Sequence, residues 1–326
     1  MEEGNGINEK PQMTAGEEDM VRRALQSYHF TDPEISFIRH NENITCRVTE
    51  DGERYVLRIR NPVEGFSLKL LGGGSPEELM RGEIGLLLHL SEKAPFPVQK
   101  PVKNRFGEYM TVLEGGIPAQ LLKWIDGEPL TGENIGQYTQ ELGKLAAQIN
   151  SAAEGFSGER VFYMRGLVGR MKAELGSAGE KGHLTGEQVS MCRNLLDQIG
   201  DIMTVLDARP GTKCLIHADL SEGNLIKTGA GLAPVDFSLS GYGYRAQECG
   251  MLAFGFQEEK EREAVRLSYE RASGIPIEKR HMNAFGIFSI LLFVTLQHDR
   301  HWEQEWFQNS MIRWRDTLFS EMLRGK

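Results

Sequence analysis

The 326-residue chain carries 46 acidic and 37 basic side chains, a net charge of −9, and 40% of its residues are hydrophobic. That balance argues against a broad basic surface for nucleic acid but leaves room for a local phosphate pocket. The length admits a large core, arranged as one long domain or two packed lobes. The four cysteines (Cys46, Cys192, Cys214, Cys249) are far apart and lack C-x-x-C spacing, which points to reduced thiols rather than disulfides or a zinc site.

Residues 1–13 are polar and Gly/Glu-rich, without the basic and apolar regions of a signal peptide, and read as a disordered tail. Glu17 to Tyr28 has Met20, Val21, Ala24, Leu25 and Tyr28 at helical spacing. Three strand-like runs follow, Glu34–His40, Asn43–Thr49 and Arg54–Arg60, and the Asp51-Gly52 step between the last two predicts a hairpin turn. Residues 62–75 read as a loop ending in three glycines, which lack the Gly-Lys-Ser/Thr of a P-loop. A helix is expected from Pro76 to about Ser91, with proline in the first turn where it is tolerated. Strands are expected at Glu108–Leu113 and Ala119–Ile125.

From about Gly127 the pattern turns helical. Tyr138, Leu142, Leu145 and Ile149 share one face of an expected helix over Gln137–Asn150. Thr185 and Gln188 form a capping box that starts another helix, with Leu184 and Val189 placed as a hydrophobic staple, ending before Pro210-Gly211. Short strand-like pieces, Cys214–His217 and Leu232–Phe237, come next, and from about Gln257 the chain is helical again. The apolar run Ala284 to Leu296 is too short to span a bilayer and is broken by Gly286 and Ser289, so no membrane segment is expected and the protein reads as cytoplasmic. A β-rich first half joined once to a helical second half suggests a ligand cleft between them.

The chemistry concentrates in residues 214–238. Asp219 and Asn224 sit five apart on a turn-prone segment after a short apolar strand, and Asp236 ends a second strand twelve residues later. Phosphoryl transfer from ATP needs a carboxylate to orient the acceptor hydroxyl and take its proton, and oxygen ligands to hold Mg²⁺ against the phosphates. Taken singly, Asp and Asn here are also ordinary turn residues.

His217-x-Asp219-x-x-x-x-Asn224 followed by Asp236-Phe237-Ser238 resembles the aminoglycoside phosphotransferase/choline kinase family, a relative of the protein kinases. That family reads H-G-D-x-H-x-x-N, then a short hairpin, then I-D-F or similar; Ala218 and Ser221 depart from it without removing the base or a metal ligand. The resemblance implies an α+β, bilobal protein-kinase-like fold, with an ATP-binding lobe over residues 14–122 and a helical lobe over 123–326. It implies Asp219 as catalytic base, Asn224 and Asp236 as Mg²⁺ ligands, and His217 as a residue bracing the loop.

In the first lobe, Tyr55–Ile59 resembles the strand bearing the phosphate-binding cation of kinases, giving Arg58 that role. Arg60 shares its parity on the strand and stays an alternative. Glu83 lies on the same helical stripe as Leu79, Leu86, Leu87 and Leu90, and a carboxylate there wants a cationic partner, which the kinase template supplies as Arg58. The crossing Leu122–Gly127 resembles the family's hinge, so adenine is expected on backbone groups of Lys123 and Ile125. The segment around Arg39–Asn43 has no glycine, so the usual Gly-rich signature over the phosphates is missing.

His298-x-x-His301 reads as an ordinary helix face, and Trp302, Trp306 and Trp314 read as packing. The expected reaction is ATP plus a small-molecule alcohol giving ADP and a phosphate ester. The acceptor (aminoglycoside, choline or ethanolamine, homoserine, or a sugar-like molecule) is left open, as is any acidic acceptor patch drawn from Glu222, Glu248, Glu303, Glu305, Asp316 and Glu321. The alternative is a pseudokinase that binds nucleotide without turnover.

Overall fold

A computed structural model describes residues 12–62 and 69–324. Residues 1–11 of the expected tail and 63–68 of the expected loop lie outside the described residues. The chain divides into two compact units, one from Met1–Glu64 and Lys100–Trp124, the other from Gly65–Gln99 and Ile125–Lys326.

Among its described residues, the first unit is an antiparallel sheet with one helix. Helix α1 (Ala15–Leu25) starts at a capping box in which Thr14 and Glu17 satisfy each other's amides at 3.3 and 2.5 Å. Strands β1 (Glu34–His40), β2 (Ile44–Glu50), β3 (Glu53–Ile59), β4 (Met110–Leu113) and β5 (Ile117–Lys123) are ordered β1-β2-β3-β5-β4. The predicted Asp-Gly turn joins β2 to β3: Asp51 and Gly52 have φ of 53° and 80°, and Glu50 pairs with Glu53. Val21, Ala24 and Leu25 of α1 pack with Ile44, Cys46, Val48, Leu57, Ile59, Ala119 and Leu121 in one core. Strand β5 starts at Ile117, two residues ahead of its expected start, and takes in Pro118. The strand ends at Lys123, two residues short of the expected Ile125, although the next amide, Trp124 N–H, still donates to Arg54 O of β3 at 3.0 Å.

The second unit is mostly helical. Helix α2 (Pro76–Lys93), capped by Ser75 and Glu78, belongs to it rather than to the sheet unit. Then come β6 (Glu128–Pro129), α3 (Thr139–Ala152), β7 (Val161–Phe162), α4 (Arg165–Glu180) and α5 (Gly186–Asp207). Next are β8 (Lys213–Ile216), β9 (Leu225–Thr228), β10 (Gly231–Pro234), β11 (Gly241–Tyr244) and α6 (Arg245–Ala253). The unit closes with α7 (Glu259–Ser273), α8 (Lys279–His301), α9 (Glu305–Asp316) and α10 (Leu318–Leu323). The predicted Thr185–Gln188 box starts α5, with reciprocal bonds of 2.7 and 3.2 Å.

Two helices escape the sequence pattern. Helix α4 contains Gly166, Gly169, Gly176 and Gly179, each a poor helix former, so its propensity is low although Leu167, Met171 and Leu175 are buried. Helix α6 begins at Arg245, ahead of the helical stretch expected from Gln257; Gly250 looks like a breaker, but it lets α6 approach α8, since a Cβ there would meet Met282 O at 2.3 Å. Among the described residues, no helix is long and apolar enough to cross a membrane.

Candidate active site

Strand β8 delivers His217 and the loop to Asn224, and the β9–β10 hairpin delivers Asp236. In that hairpin Leu225 pairs with Pro234, so the residues flanking the two strands meet: Val235 N–H donates to Asn224 O at 2.9 Å. Asn224 donates from Nδ2 to Asp219 Oδ2 at 2.7 Å and to Asp219 O at 3.1 Å. Its Oδ1 is buried and has no hydrogen-bond partner. A buried acceptor left in that condition costs about 1–3 kcal/mol unless something occupies it.

Asp236 has φ 63° and ψ 71°, and its Oδ1 accepts from Ser238 Oγ at 2.8 Å and Ser238 N–H at 3.4 Å. Ala218 is also left-handed, at φ 66°. Non-glycine residues in this region cost about 1–3 kcal/mol each and persist where the surroundings over-determine them. Here the surroundings do so from three sides.

His217 is fully buried and makes the first restraint. Its Nδ1 accepts from Asp219 N–H at 3.3 Å, which leaves Nε2 to donate to Val235 O at 3.2 Å, and the ring lies 4.4 Å from that of Phe237. The side chain therefore ties the two strand ends together as a neutral imidazole. Burial pushes its pKa down to about 4, partly offset by the nearby Asp236 carboxylate.

Glu248 of α6 makes the second. Its Oε2 accepts from His217 N–H at 2.5 Å and from Asn150 Nδ2 at 3.5 Å, and Asn150 Oδ1 in turn accepts from Tyr269 OH at 2.6 Å. Burial pushes the Glu248 carboxyl up to about 8, against the hydrogen bonds from His217, Asn150 and Ala218. This buried position removes Glu248 from the acidic acceptor patch considered from sequence.

Arg160 makes the third. The side chain is wholly buried and donates to Phe237 O and Ser238 O at 2.7 Å, Ser240 O at 2.8 Å and Leu79 O at 2.9 Å. Tyr163 OH adds a bond to Leu239 O at 2.6 Å. The backbone after Asp236 is thus fastened by one guanidinium that also reaches α2. Nothing in the sequence around Arg160 marks it; an Arg just before a short Val-Phe-Tyr run is the only hint of burial.

Arg58 on β3 is 4% exposed, with Thr45 and Gln120 as its register partners, while Arg60 is bonded to Glu42. Lys123 ends β5: its Nζ binds Glu53 Oε2 at 2.6 Å and sits 4.4 Å over the Tyr55 ring, and its backbone N–H donates to Lys100 O at 2.8 Å. In the second unit Glu83 of α2 is 3% exposed, and Ile125 is the first residue after the division of the chain. A cavity of about 640 Å³, lined by Ile202, Phe254, Arg262, Asn283 and Glu321 among others, includes none of His217, Asp219, Asn224 or Asp236. Of the three tryptophans read as packing, Trp306 is instead 46% exposed.

A family profile described as "Phosphotransferase enzyme family" matches residues 34–285. An uncharacterized protein of Deinococcus radiodurans is 25% identical over 240 residues, 68% of this chain and 62% of that protein, so the chain spans under two thirds of the length of the curated relative it matches. Among solved structures, an amicoumacin kinase in complex with AMP-PNP, Ca²⁺ and Ami superposes with a TM-score of 0.74 at 16% identity, covering 94% of this chain and 93% of that one. A microcompartment-associated aminopropanol kinase gives 0.72 at 16% identity, over 92% and 95%. A Plasmodium vivax ethanolamine kinase gives 0.59 at 14% identity, over 94% and 86%. At these identities the superpositions establish the fold, which is kinase-like and α+β.

Proposed function

We propose that this chain, which belongs to the phosphotransferase enzyme family, transfers the γ-phosphate of ATP to a hydroxyl of a small molecule. The observation that carries the reading is Asn224: its amide nitrogen is committed to Asp219, and its amide oxygen is left buried and unpartnered. That oxygen has the chemistry of a hard-cation ligand.

Asp219 is assigned as the base. It orients the acceptor hydroxyl and takes its proton as the hydroxyl oxygen bonds to the γ-phosphorus and the bond to the β-phosphate oxygen breaks, releasing ADP. Asn224 and Asp236 would hold Mg²⁺, which when bound neutralises charge on the phosphate oxygens. Their nearness at the base of the β9–β10 hairpin supports the pairing. Arg58, 4% exposed on β3, is assigned to the ATP phosphates, and Arg60, which shares its parity and is bonded to Glu42, is the alternative. Glu83, equally buried, belongs to the same nucleotide-binding set.

Adenine is assigned to backbone groups of Lys123 and Ile125. The amides of Lys123 and Trp124 already donate to Lys100 O and Arg54 O, so Ile125 is the N–H donor this reading requires, with Lys123 offering its carbonyl. The nucleotide-binding lobe is taken as residues 14–122 and the helical lobe as 123–326, in a cytoplasmic enzyme. Neighbours named as aminopropanol and ethanolamine kinases put amino alcohols first among acceptors to try, ahead of aminoglycosides, choline, homoserine and sugars.

The test is ADP release against a panel of these hydroxyl compounds, with Asp219→Ala as control. Turnover unchanged in the variant would remove Asp219 from the mechanism. ATP binding without turnover on any acceptor would favour a pseudokinase.

A further inference from the structure

Away from residues 217–236, the turn between α4 and α5 meets the last turn of α8 in a cluster of metal-ligating groups. His183 Nδ1 lies 3.1 Å from His298 Nδ1 and 3.2 Å from Asp299 Oδ1, and His298 Nδ1 lies 3.7 Å from Asp299 Oδ1. A point equidistant from three atoms so spaced sits about 1.9 Å from each, just inside the 2.0–2.2 Å of zinc–nitrogen and zinc–oxygen bonds. We propose that His183, His298 and Asp299 form a divalent transition-metal site of the zinc type, with water as fourth ligand, that staples the α4–α5 turn to α8.

The surroundings are those of a supported site. His298 is 1% exposed, and its other nitrogen, Nε2, faces Glu174 Oε1 at 3.1 Å. A carboxylate there fixes the proton on Nε2 and turns the Nδ1 lone pair toward the cluster, the outer-shell arrangement that orients metal-bound histidines. Trp302 stacks on His183 with centroids 4.7 Å apart and planes 13° apart, holding that ring in its plane. Asp299 is half exposed, which leaves an open side for water. The C-terminal end of a long helix also favours positive charge.

Two contacts of the cluster set what the test must exclude. Lys181 Nζ donates to Asp299 Oδ1 at 2.9 Å and to Oδ2 at 3.3 Å, so an ion on Oδ1 would displace the lysine's shorter contact and leave it Oδ2. Two neutral histidines 3.1 Å apart can also share one hydrogen bond without an ion. His301, which the sequence spacing pairs with His298, is outside the cluster: its Nδ1 is 2.9 Å from Gln304 Oε1.

The experiment is a Co²⁺ titration of the chelator-stripped full chain without nucleotide, read by visible absorption and reversed with Zn²⁺. One equivalent of Co²⁺ should give the d–d bands of a four-coordinate ion, and Zn²⁺ should abolish them. Asp299→Asn and His183→Gln should each weaken binding at least tenfold, Glu174→Gln about 10- to 100-fold, and His301→Gln should leave it unchanged. The proposal is overturned if the folded wild-type chain gives no such bands, if folded Asp299→Asn, a surface change that spares the buried histidine, binds Co²⁺ as tightly as the wild type, or if thiolate charge-transfer bands put the ion on cysteine. Because no nucleotide or acceptor is used, the outcome is independent of the phosphotransferase reading.

Discussion

Asn224 hydrogen-bonds the Asp219 carboxylate at 2.7 Å through the nitrogen of its amide, which turns the amide oxygen the other way. One side chain thereby positions the proposed base and presents the proposed ligand atom. Asp219→Ala should lower kcat by about 10²- to 10⁴-fold, the usual contribution of a positioned base, with the melting temperature little changed. Asn224→Ala should also raise the Mg²⁺ concentration for half-maximal rate by about tenfold or more, as expected for loss of a charge–dipole contact of about 1.5–3 kcal/mol. A metal dependence equal to wild type would remove Asn224 from the ligand set.

The two arginines of β3 can be separated in the same assay. Arg58→Ala should raise the KM for ATP by roughly ten- to a hundredfold, the cost of a lost charge-assisted contact. Arg60→Ala, which leaves the nearly buried Glu42 without this partner, should cost stability but leave the KM of the folded variant within about twofold. The reverse order would move the phosphate contact to Arg60.

Arg160 offers a prediction about stability rather than chemistry. Arg160→Lys replaces a planar five-donor group by an ammonium that cannot reach Leu79 O, Phe237 O, Ser238 O and Ser240 O together. The buried carbonyls left over should cost about 3–5 kcal/mol, read as a lower urea midpoint. A loss under about 1 kcal/mol would mean that the segment after Asp236 is held by other bonds.

These residues also mark how far the sequence could be read. The β1–β3 hairpins, helix α2, helix α5 and the 217–236 segment are legible because each carries a local signal: alternation with an Asp-Gly turn, a first-turn proline, a capping box and a motif. Arg160 and Glu248 are not. Their partners are distant in sequence and mostly backbone groups, and backbone carbonyls and amides leave no trace in side-chain identity. His183 and His298 escaped for a similar reason, being 115 residues apart, while the neighbour that spacing did suggest, His301, points elsewhere. Helix α4 shows a different limit, since its glycines lower the local preference that packing of Leu167, Met171 and Leu175 overrides.

Glu248 and His217 give the chain an asymmetric pH dependence. Burial holds Glu248 near 8, above its ordinary 4.5, so the unfolded chain ionises first and this group withdraws stability as pH rises from 4.5 through 8. His217 is held near 4, below its ordinary 6.5, so its contribution is complete above 6.5 and lost as pH falls toward 4. The two slopes oppose each other between 4.5 and 6.5, and Glu248 acts alone of the pair from there to 8. Glu248→Gln keeps an oxygen to accept from His217 N–H and has no charge to ionise. Between pH 6.5 and 8 the wild type should therefore lose stability relative to the variant, by up to about 1.4 kcal/mol per pH unit, the limit for one proton. Urea denaturation at several pH values measures this directly, and curves that stay parallel across that window would show that Glu248 does not titrate there.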